Sequence, residues 1–473
     1  MRGAVWFRSD LRIDDNPALL DATNTCEEVI GIYIFSENQW SIHNESNIKH
    51  EFLLNNLNKL EKSLNEFNIP LTAINAEDFK SLHADLSSFV TQHKIEHVFW
   101  NKEFGVNEID RDNLVSGSLK KINVSSSSYH DQVIYEPGFL KTGQGKPFSV
   151  FTPYKRRWVE NFSMDFLDLQ KLKTVQKITS VQSNLNCLKF KKTHSVNIDL
   201  WPAGEEAAQG RLTSFLTNKA IDYSQSRNIP MLDGTSRISP YLALGVISPK
   251  RCILEALKLN NFEFNSGNKG ICKWIDEIVW REFYRNIMHS FPRVSMGSPF
   301  QNYTNSIQWR HSESELKAFY QGNTGFPIID AGIRQMLAEG WMHNRLRMIV
   351  AMFFTKNMLH DWRLGEKFFM ENLIDGDFSS NNGGWQWSSS TGTDAAPYFR
   401  IFNPITQSQN FDPTGEFIKK FVPELNDVPV KNIHQPAEDL FSSYDYPKPI
   451  LDLKDSRQRA IVAFKEARDS GTI

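Results

Sequence analysis

The amino-acid sequence predicts an α/β N-terminal domain, a parallel sheet with helices on both faces, followed by a larger all-α domain. Three observations carry that reading. Up to about residue 130, short apolar runs alternate with helical patterns, as in a parallel sheet covered on both sides. From Trp201 on, the pattern is helical nearly throughout. A chain of 473 residues also exceeds what one hydrophobic core organises. The expected division is 1–130, a connector over 131–200, and 201–473.

The runs AVWFR, VIGIYIF, LTAIN and HVFWN are short, apolar and bounded by polar turns, the pattern of strands buried on both faces. Between the second and third, Phe52, Leu53, Leu57, Leu60, Leu64 and Phe67 recur at helical spacing until Pro70 stops them. Asp15, Asn16 and Pro17 form a helix start, with proline in an early position. No G-x-G-x-x-G follows the first run, so a dinucleotide fingerprint is absent. A ligand of this domain belongs at the carboxyl ends of the strands. The loops there carry His43-Asn44 and Asn107-Glu108.

Residues 131–200 are loop-like and then polar with little periodicity, which fits a connector running over the surface. Lys155, Arg156 and Arg157 read there as a solvated basic face. Further on, Ser239-Pro240 and Ser248-Pro249 each place Ser at N-cap and Pro at N1. GTSRIS, residues 234–239, joins a glycine, hydroxyls and an arginine to a helix N-terminus. It is either an anion cradle suited to a pyrophosphate or an ordinary capped turn. In KWIDEIVWREFYRNIM, the residues Glu277, Trp280, Arg281 and Tyr284 share one helical face. That face is too polar for plain core; it can stack on a base and bind phosphate, or bridge two helices. Asn344 and Met348, four apart, lie together on the next helix.

Composition narrows the function classes. With 40% apolar and 23% charged residues the chain is of the soluble globular type. A net charge of -2 supplies no whole-molecule attraction to nucleic acid, so DNA binding would need a local basic face. Cys26, Cys187, Cys252 and Cys272 show no C-x-x-C spacing, which suits a reducing cytoplasm and offers no zinc site or disulfide framework. There is no signal-peptide core and no apolar run of membrane-spanning length. Seven of the 12 tryptophans fall between 274 and 387, which locates the functional interior in the C-terminal part. Arg281, Arg285, Arg345, Arg347, Arg363 and Arg400 add bidentate donors for phosphate or carboxylate there.

The densest stretch is 341–404. It holds Asp375-Gly376-Asp377, two asparagines followed by Gly383 and Gly384, and Trp385 two residues from Trp387. The glycines suggest either positive φ or a close approach of the backbone to something flat. The plainer reading is a glycine-rich loop with two core tryptophans.

At these residues the sequence resembles the photolyase/cryptochrome family, and within it the bacterial class I cyclobutane pyrimidine dimer photolyases. Five separated motifs occur in order: WFRSDLRIDDNPAL, GTSRIS, WIDEIVWREFYR, WMHNRLRM, and DGDFSSNNGGWQW with TGTDAAPYFRIFNP. The resemblance implies an α/β antenna-chromophore domain, an interdomain linker and a helical FAD- and DNA-binding catalytic domain over the three stretches above. It implies that Tyr223 and the run Thr235, Ser236, Arg237, Ile238 and Ser239 hold the FAD phosphates and ribose, with Trp274 beside them. Asp375, Gly376 and Asp377 would lie at the isoalloxazine, Asp375 paired with Arg347, and Asn381 would face flavin N5. Glu277, Trp280, Asn344, Met348 and Trp387 would line the lesion pocket, while Arg227, Arg281, Arg345 and Gln407 would reach DNA. Trp385, Trp362 and Trp309 match a chain of tryptophans that passes an electron from the surface to the flavin.

The implied activity is light-driven repair of cyclobutane pyrimidine dimers, by electron transfer from excited, reduced, anionic FAD to a flipped-out dimer. Such chemistry needs neither a nucleophile nor a metal from the protein, because the cofactor supplies the hard step. UV-damaged DNA is the implied partner, with no obligate protein partner and a monomeric state. His43, Asn107 and Glu108 match positions that hold methenyltetrahydrofolate in relatives. A lysine expected near 293–297 is replaced by RVSMG, so a deazaflavin or an empty site are the alternatives. Enzymes that repair the (6-4) lesion carry paired histidines near WMHNRLRM, where this chain has Asn344 and Met348. Many cryptochromes change the residue matching Asn381 and add a long C-terminal tail. The competing reading is a blue-light photoreceptor on the same fold.

Overall fold

The computed structural model describes residues 1–167, 169, 172–185, 192–436 and 444–470; Cys187 and parts of the expected connector lie outside them. The chain forms two compact units. Unit 1 comprises Met1–His194, Ile198–Ile221 and Ser236–Pro292, and unit 2 comprises Ser195–Asn197, Asp222–Thr235 and Arg293–Ile473.

Unit 1 begins with β1 (Arg2–Phe7), α1 (Pro17–Thr25), β2 (Glu28–Phe35), α2 (Glu37–Ile42), α3 (Asn47–Asn65), β3 (Leu71–Asn75), α4 (Leu82–Gln92), β4 (His97–Asn101), α5 (Val106–Lys121) and β5 (Ser125–Tyr129). The five strands are all parallel, in the order β3-β2-β1-β4-β5. Val5 in the central strand pairs with Gly31 on one side and Phe99 on the other. The order reverses beside β1, the switch point at which open α/β sheets bind ligands. Trp6, Ile30, Ile32, Val98 and Trp100 meet Leu82, Leu86, Val90 and Val115 in one core.

The four expected strands are present. The fifth, SSSSY, is an exposed or half-exposed edge and offers no apolar run to read. The other edge is covered: Ala73 exchanges two backbone hydrogen bonds with the Asn184 side-chain amide, at 2.6 and 3.0 Å. Asn16 caps α1 by accepting from the Leu19 amide. The α3 helix ends at Asn65, before Phe67, because Asn68 turns the chain at φ +61°. The loop after β1 is fixed by Arg12, which pairs with Asp131 and donates to the Gly245 carbonyl at 3.0 Å. Gly245 has φ +63°, and a β-carbon there would lie 2.0 Å from the Ser9 carbonyl oxygen, so only glycine fits.

The chain continues through α6 (Phe151–Glu160), α7 (Glu205–Asn218), α8 (Tyr223–Ser226), α9 (Ser239–Ala243), α10 (Pro249–Leu259) and α11 (Lys269–Ser290), of which α8 belongs to unit 2. Ser248 caps α10 as expected, accepting from the Arg251 amide. Ser239 instead lies inside α9, with Ile238 at the N-cap. The stretch read as loop contains α6, whose Phe151, Tyr154 and Trp158 form a buried stripe. Glu282 of α11 holds this segment by accepting from the Ile134 and Tyr135 amides, Tyr154 Oη and Trp158 Nε1. Burial pushes its carboxyl up to about 7 against those donors. Lys155 pairs with Asp276 at 2.5 Å, so only Arg156 and Arg157 of the basic run are exposed.

The remaining helices are α12 (Pro292–Ser295), α13 (Glu313–Tyr320), α14 (Pro327–Glu339), α15 (Asn344–Met352), α16 (Trp362–Asn372), α17 (Phe378–Ser389), α18 (Pro404–Phe411), α19 (Glu416–Phe421) and α20 (Leu453–Ser470). The core of unit 2 gathers Phe319, Ile329, Met336, Leu346, Val350, Phe354, Phe369 and Phe417 around Trp362 and Trp385. Asp330 at the start of α14 accepts from the Thr324 and Gly325 amides and from Tyr446 Oη. Among the described residues no helix is long and apolar enough to cross a membrane.

Candidate active site

The stretch that reads as a glycine loop is largely helix. Asp377 starts α17 as its N-cap, its Oδ1 accepting from the Ser380 amide and hydroxyl at 2.9 and 2.7 Å. Gly383 and Gly384 lie inside α17 without positive φ. A β-carbon at Gly384 would meet no other atom within 4 Å. One turn into the helix, Asn381 donates from Nδ2 to the Glu366 carbonyl at 2.9 Å, which fixes how its amide faces. Asn382 donates to the Glu366 carboxylate at 2.8 Å, and Gln386 extends the chain to Asn382 at 3.0 Å. Arg347 on α15 grips Asp375 with Nη2 at 3.0 and 2.8 Å and donates from Nε to the Met342 carbonyl, so the pairing implied by the motif is present. Gly376 follows Asp375 directly.

Trp362 and Trp385 are fully buried in the unit 2 core, and the half-buried Trp309 packs against the same cluster. Trp385 meets Phe369 and Phe354 edge-on at 4.9 and 5.7 Å. Its Nε1 is buried and finds no acceptor among the described residues. A β-carbon at Gly365, on α16, would lie 2.1 Å from the Trp385 ring. Gly365 and Glu366 are therefore site residues that the sequence did not reveal. Their roles are contacts across a helix pair, which no periodicity marks.

A second group in unit 2 is basic. Arg345 donates to Asn228 at 2.8 Å and lies 4.4 Å over the Phe411 ring. Arg227 lies 5.4 Å over Tyr223. Burial and then the neighbouring Arg227 depress the Arg345 guanidinium below its ordinary value. Two like charges held together in this way favour an anion. Asn344 is exposed at the start of α15, while Met348, Trp387 and Gln407 are half-buried.

In unit 1, Arg237 takes φ +47° and is followed by Ile238 at φ -83°, ψ -10°. Such a left-handed residue in a turn makes successive amides converge, the concave arrangement that binds phosphate. Beside it, Trp274 Nε1 donates to Ser236 Oγ at 3.2 Å. Thr235 ends the preceding segment of unit 2. Glu277, Trp280, Arg281 and Tyr284 are all half-buried, so the polar face of α11 forms as spaced. Arg281 is tied within unit 1, to the Gln132 and Leu242 carbonyls at 2.5 and 3.1 Å.

The strand-end loops of unit 1 bring together the other three residues. Asn107 Nδ2 lies 3.0 Å from His43 Nε2, and Glu108 lies 3.8 Å from His43 Nδ1. Burial, then the nearby Glu103, push the Glu108 carboxyl up. His43 and Glu108 border a cavity of about 100 Å³ that Trp6, Arg8, Tyr33 and Arg111 also line, and Asn107 reaches it only through His43. Arg8 and Arg111 lie 4.6 and 4.9 Å over Trp6 in the cavity wall.

Two family models match: "DNA photolyase" over residues 4–176, and "FAD binding domain of DNA photolyase" over 274–466. The deoxyribodipyrimidine photo-lyase of Escherichia coli is 40% identical over 98% of this chain and 98% of that protein. The chain belongs to the DNA photolyase family. Its photolyase relatives include the Vibrio cholerae deoxyribodipyrimidine photo-lyase, 36% identical over 98% of this chain and 99% of that one. Among solved structures, a bacterial class III photolyase from Agrobacterium tumefaciens superposes with TM-score 0.90 at 32% identity, covering 99% and 98% of the two chains. A Sulfolobus tokodaii photolyase described with two FAD molecules gives 0.86 at 28%, covering 98% and 100%. A Synechocystis cryptochrome gives 0.85 at 24%, covering 98% and 99%, a likeness of fold alone. Taken unit by unit, the residues suit the FAD of this photolyase family: in unit 1 the left-handed turn at Arg237 suits phosphate, and in unit 2 Arg347, Asp375 and the oriented Asn381 suit a polar heterocycle.

Proposed function

We propose that the protein is a deoxyribodipyrimidine photo-lyase, repairing cyclobutane pyrimidine dimers in DNA under light. The observation that most supports it is α17, which carries on one short helix the oriented amide of Asn381, the buried indole of Trp385 and the half-buried indole of Trp387. Residues 235–239 with Tyr223 and Trp274 would hold the phosphates and ribose of FAD, and Arg347, Asp375, Gly376, Asp377 and Asn381 would address its ring. When bound and reduced, FAD supplies a one-electron donor that light activates.

The chain's residues do the rest. Asn381 is locked by Glu366 and presents a neutral amide that accepts or donates a hydrogen bond without releasing a proton. Glu277, Trp280, Asn344, Met348 and Trp387 receive the flipped dimer. Flipping costs on the order of a few kcal/mol, a general magnitude for base-flipping enzymes, photolyases included. Stacking on an indole returns roughly 1–3 kcal/mol per base. Arg227, Arg345 and Gln407 hold the DNA backbone, and Arg281 contributes from α11. Trp309, Trp362 and Trp385 would form the path along which an electron from an external reductant reaches the cofactor.

For the antenna, methenyltetrahydrofolate at His43, Asn107 and Glu108 is the reading we favour. Pockets that enclose organic ligands run about 300–1,000 Å³. The strand-end cavity is too small to enclose a ring system, so a second chromophore would sit on its rim, beside His43 and Glu108 and the Asn107 that meets His43. The same reading makes the protein a cytoplasmic monomer acting on UV-damaged DNA.

The test is direct. Chemically reduced protein is irradiated with blue or near-UV light together with an oligonucleotide containing a cyclobutane dimer. Dimers should split in the light and persist in the dark. Persistence in both, with flavin bound and reduced, would favour a photoreceptor instead.

A further inference from the structure

Trp280 does not stand alone on its helix. The ring of Phe151, from the first turn of α6, lies flat against it, with centroids 3.7 Å apart and planes within 8°. Phe283 meets the same indole edge-on at 5.6 Å and also meets Phe151 at 5.9 Å. Phe151 is buried and Trp280 half-buried, so one face of the indole is covered by the phenyl ring. A face-to-face sandwich this close is not the arrangement that free aromatic rings prefer, since their quadrupoles favour offset or edge-on pairs at 4.5–7 Å. Something else holds it. The α6 helix is anchored on α11 one and two turns further on, by Tyr154 and Trp158 donating to Glu282 and by Lys155 pairing with Asp276.

We infer that Phe151 is a positioning residue for Trp280: it seals one face of the indole and, with Tyr284 tilted against the ring at 5.6 Å, fixes its plane, so that a pyrimidine stacks on the part of the indole left exposed. This rests on the proposed placement of Trp280 at the lesion. The linker segment thereby takes part in lesion recognition through α6. A side chain already held in its bound conformation loses less entropy on binding. Removing the brace should therefore weaken recognition of the flipped base and leave backbone contacts alone.

The test is a double-mutant cycle on the full chain in the dark, measuring affinity for dimer-containing and undamaged oligonucleotides. Phe151→Leu should weaken lesion binding between about two- and tenfold, leave undamaged DNA unchanged, and be rescued by Phe151→Tyr. In a Trp280→Ala background Phe151→Leu should change nothing further. An equal loss on both substrates, or an undiminished loss without Trp280, overturns the inference and leaves Phe151 as packing. If Trp280→Ala itself spares discrimination, the lesion role of Trp280 fails first and takes the inference with it. An independent readout uses 5-fluorotryptophan. The Trp280 fluorine resonance, assigned with Trp280→Phe, should move in Phe151→Leu while those of the other eleven tryptophans stay. An unmoved Trp280 resonance also overturns the inference.

Discussion

Gly365 shows how much a single missing side chain can decide. It stands one turn after Trp362 on α16, and its α-carbon approaches Trp385 so closely that any β-carbon would overlap the indole. Gly365→Ala gains about 1 kcal/mol of helix propensity. Overpacking of a dense core typically costs about 1–3 kcal/mol, and here the neighbour is a rigid ring that cannot swing away. The net expectation is a lower melting temperature and slower light-driven reduction of bound oxidised flavin, with repair by chemically reduced protein largely kept. An unchanged reduction rate in a folded variant would remove Trp385 from the relay. The tryptophans themselves were legible in the sequence, as residue type and motif. Gly365 was not, because its role exists only once α16 lies against α17. Phe151 escaped for the same reason: it touches Trp280 across 129 positions of sequence, and nothing in its own neighbourhood points there.

At the scale of elements, sequence patterns served best where apolar residues recur at a regular spacing. The apolar strands β1 to β4 and the stripe of α3 declare themselves, whereas β5 is a run of serines held by its ladder with β4 and by Tyr129 donating to Asp21 of α1. The α17 helix defeated local reading because two glycines cost roughly 1 kcal/mol each against alanine. An N-cap, the bonds to Glu366 and the burial of Trp385 outweigh them. That pairing of α16 with α17 should also respond to pH. Burial, foremost, pushes the Glu366 carboxyl up to about 7, with Asp361 adding to it while Asn382 and Arg363 oppose it. The folded chain therefore favours the protonated form. Its contribution to stability is complete below about 4.5 and is lost as pH rises through about 7. Glu366→Gln imitates the protonated acid at every pH. The variant's melting temperature should vary less than wild type between pH 5 and 8. Parallel profiles would show that Glu366 does not titrate in this window.

Across the whole molecule the charge nearly cancels, at -2 over 473 residues, so no global field draws DNA to this protein. Affinity must come from groups placed locally, and Arg345 is the clearest. Its guanidinium is stacked on Phe411, bonded to Asn228 and crowded by Arg227, a geometry that holds positive charge in place before any anion arrives. The sequence singled out this arginine by motif but could not supply Asn228, which lies more than a hundred positions away. A backbone phosphate bound here releases a counterion, and each such contact contributes about -0.9 to the slope of log affinity against log salt on duplex DNA. Arg345→Ala should therefore flatten that slope by about 0.9 and weaken dimer-containing and undamaged DNA by the same factor. The equal factor is the informative part. Residues that read the lesion change the ratio between the two substrates, whereas a phosphate contact lowers both together. If Arg345→Ala altered the ratio and left the salt slope intact, Arg345 would belong with Trp280 and Trp387 among the groups that meet the dimer.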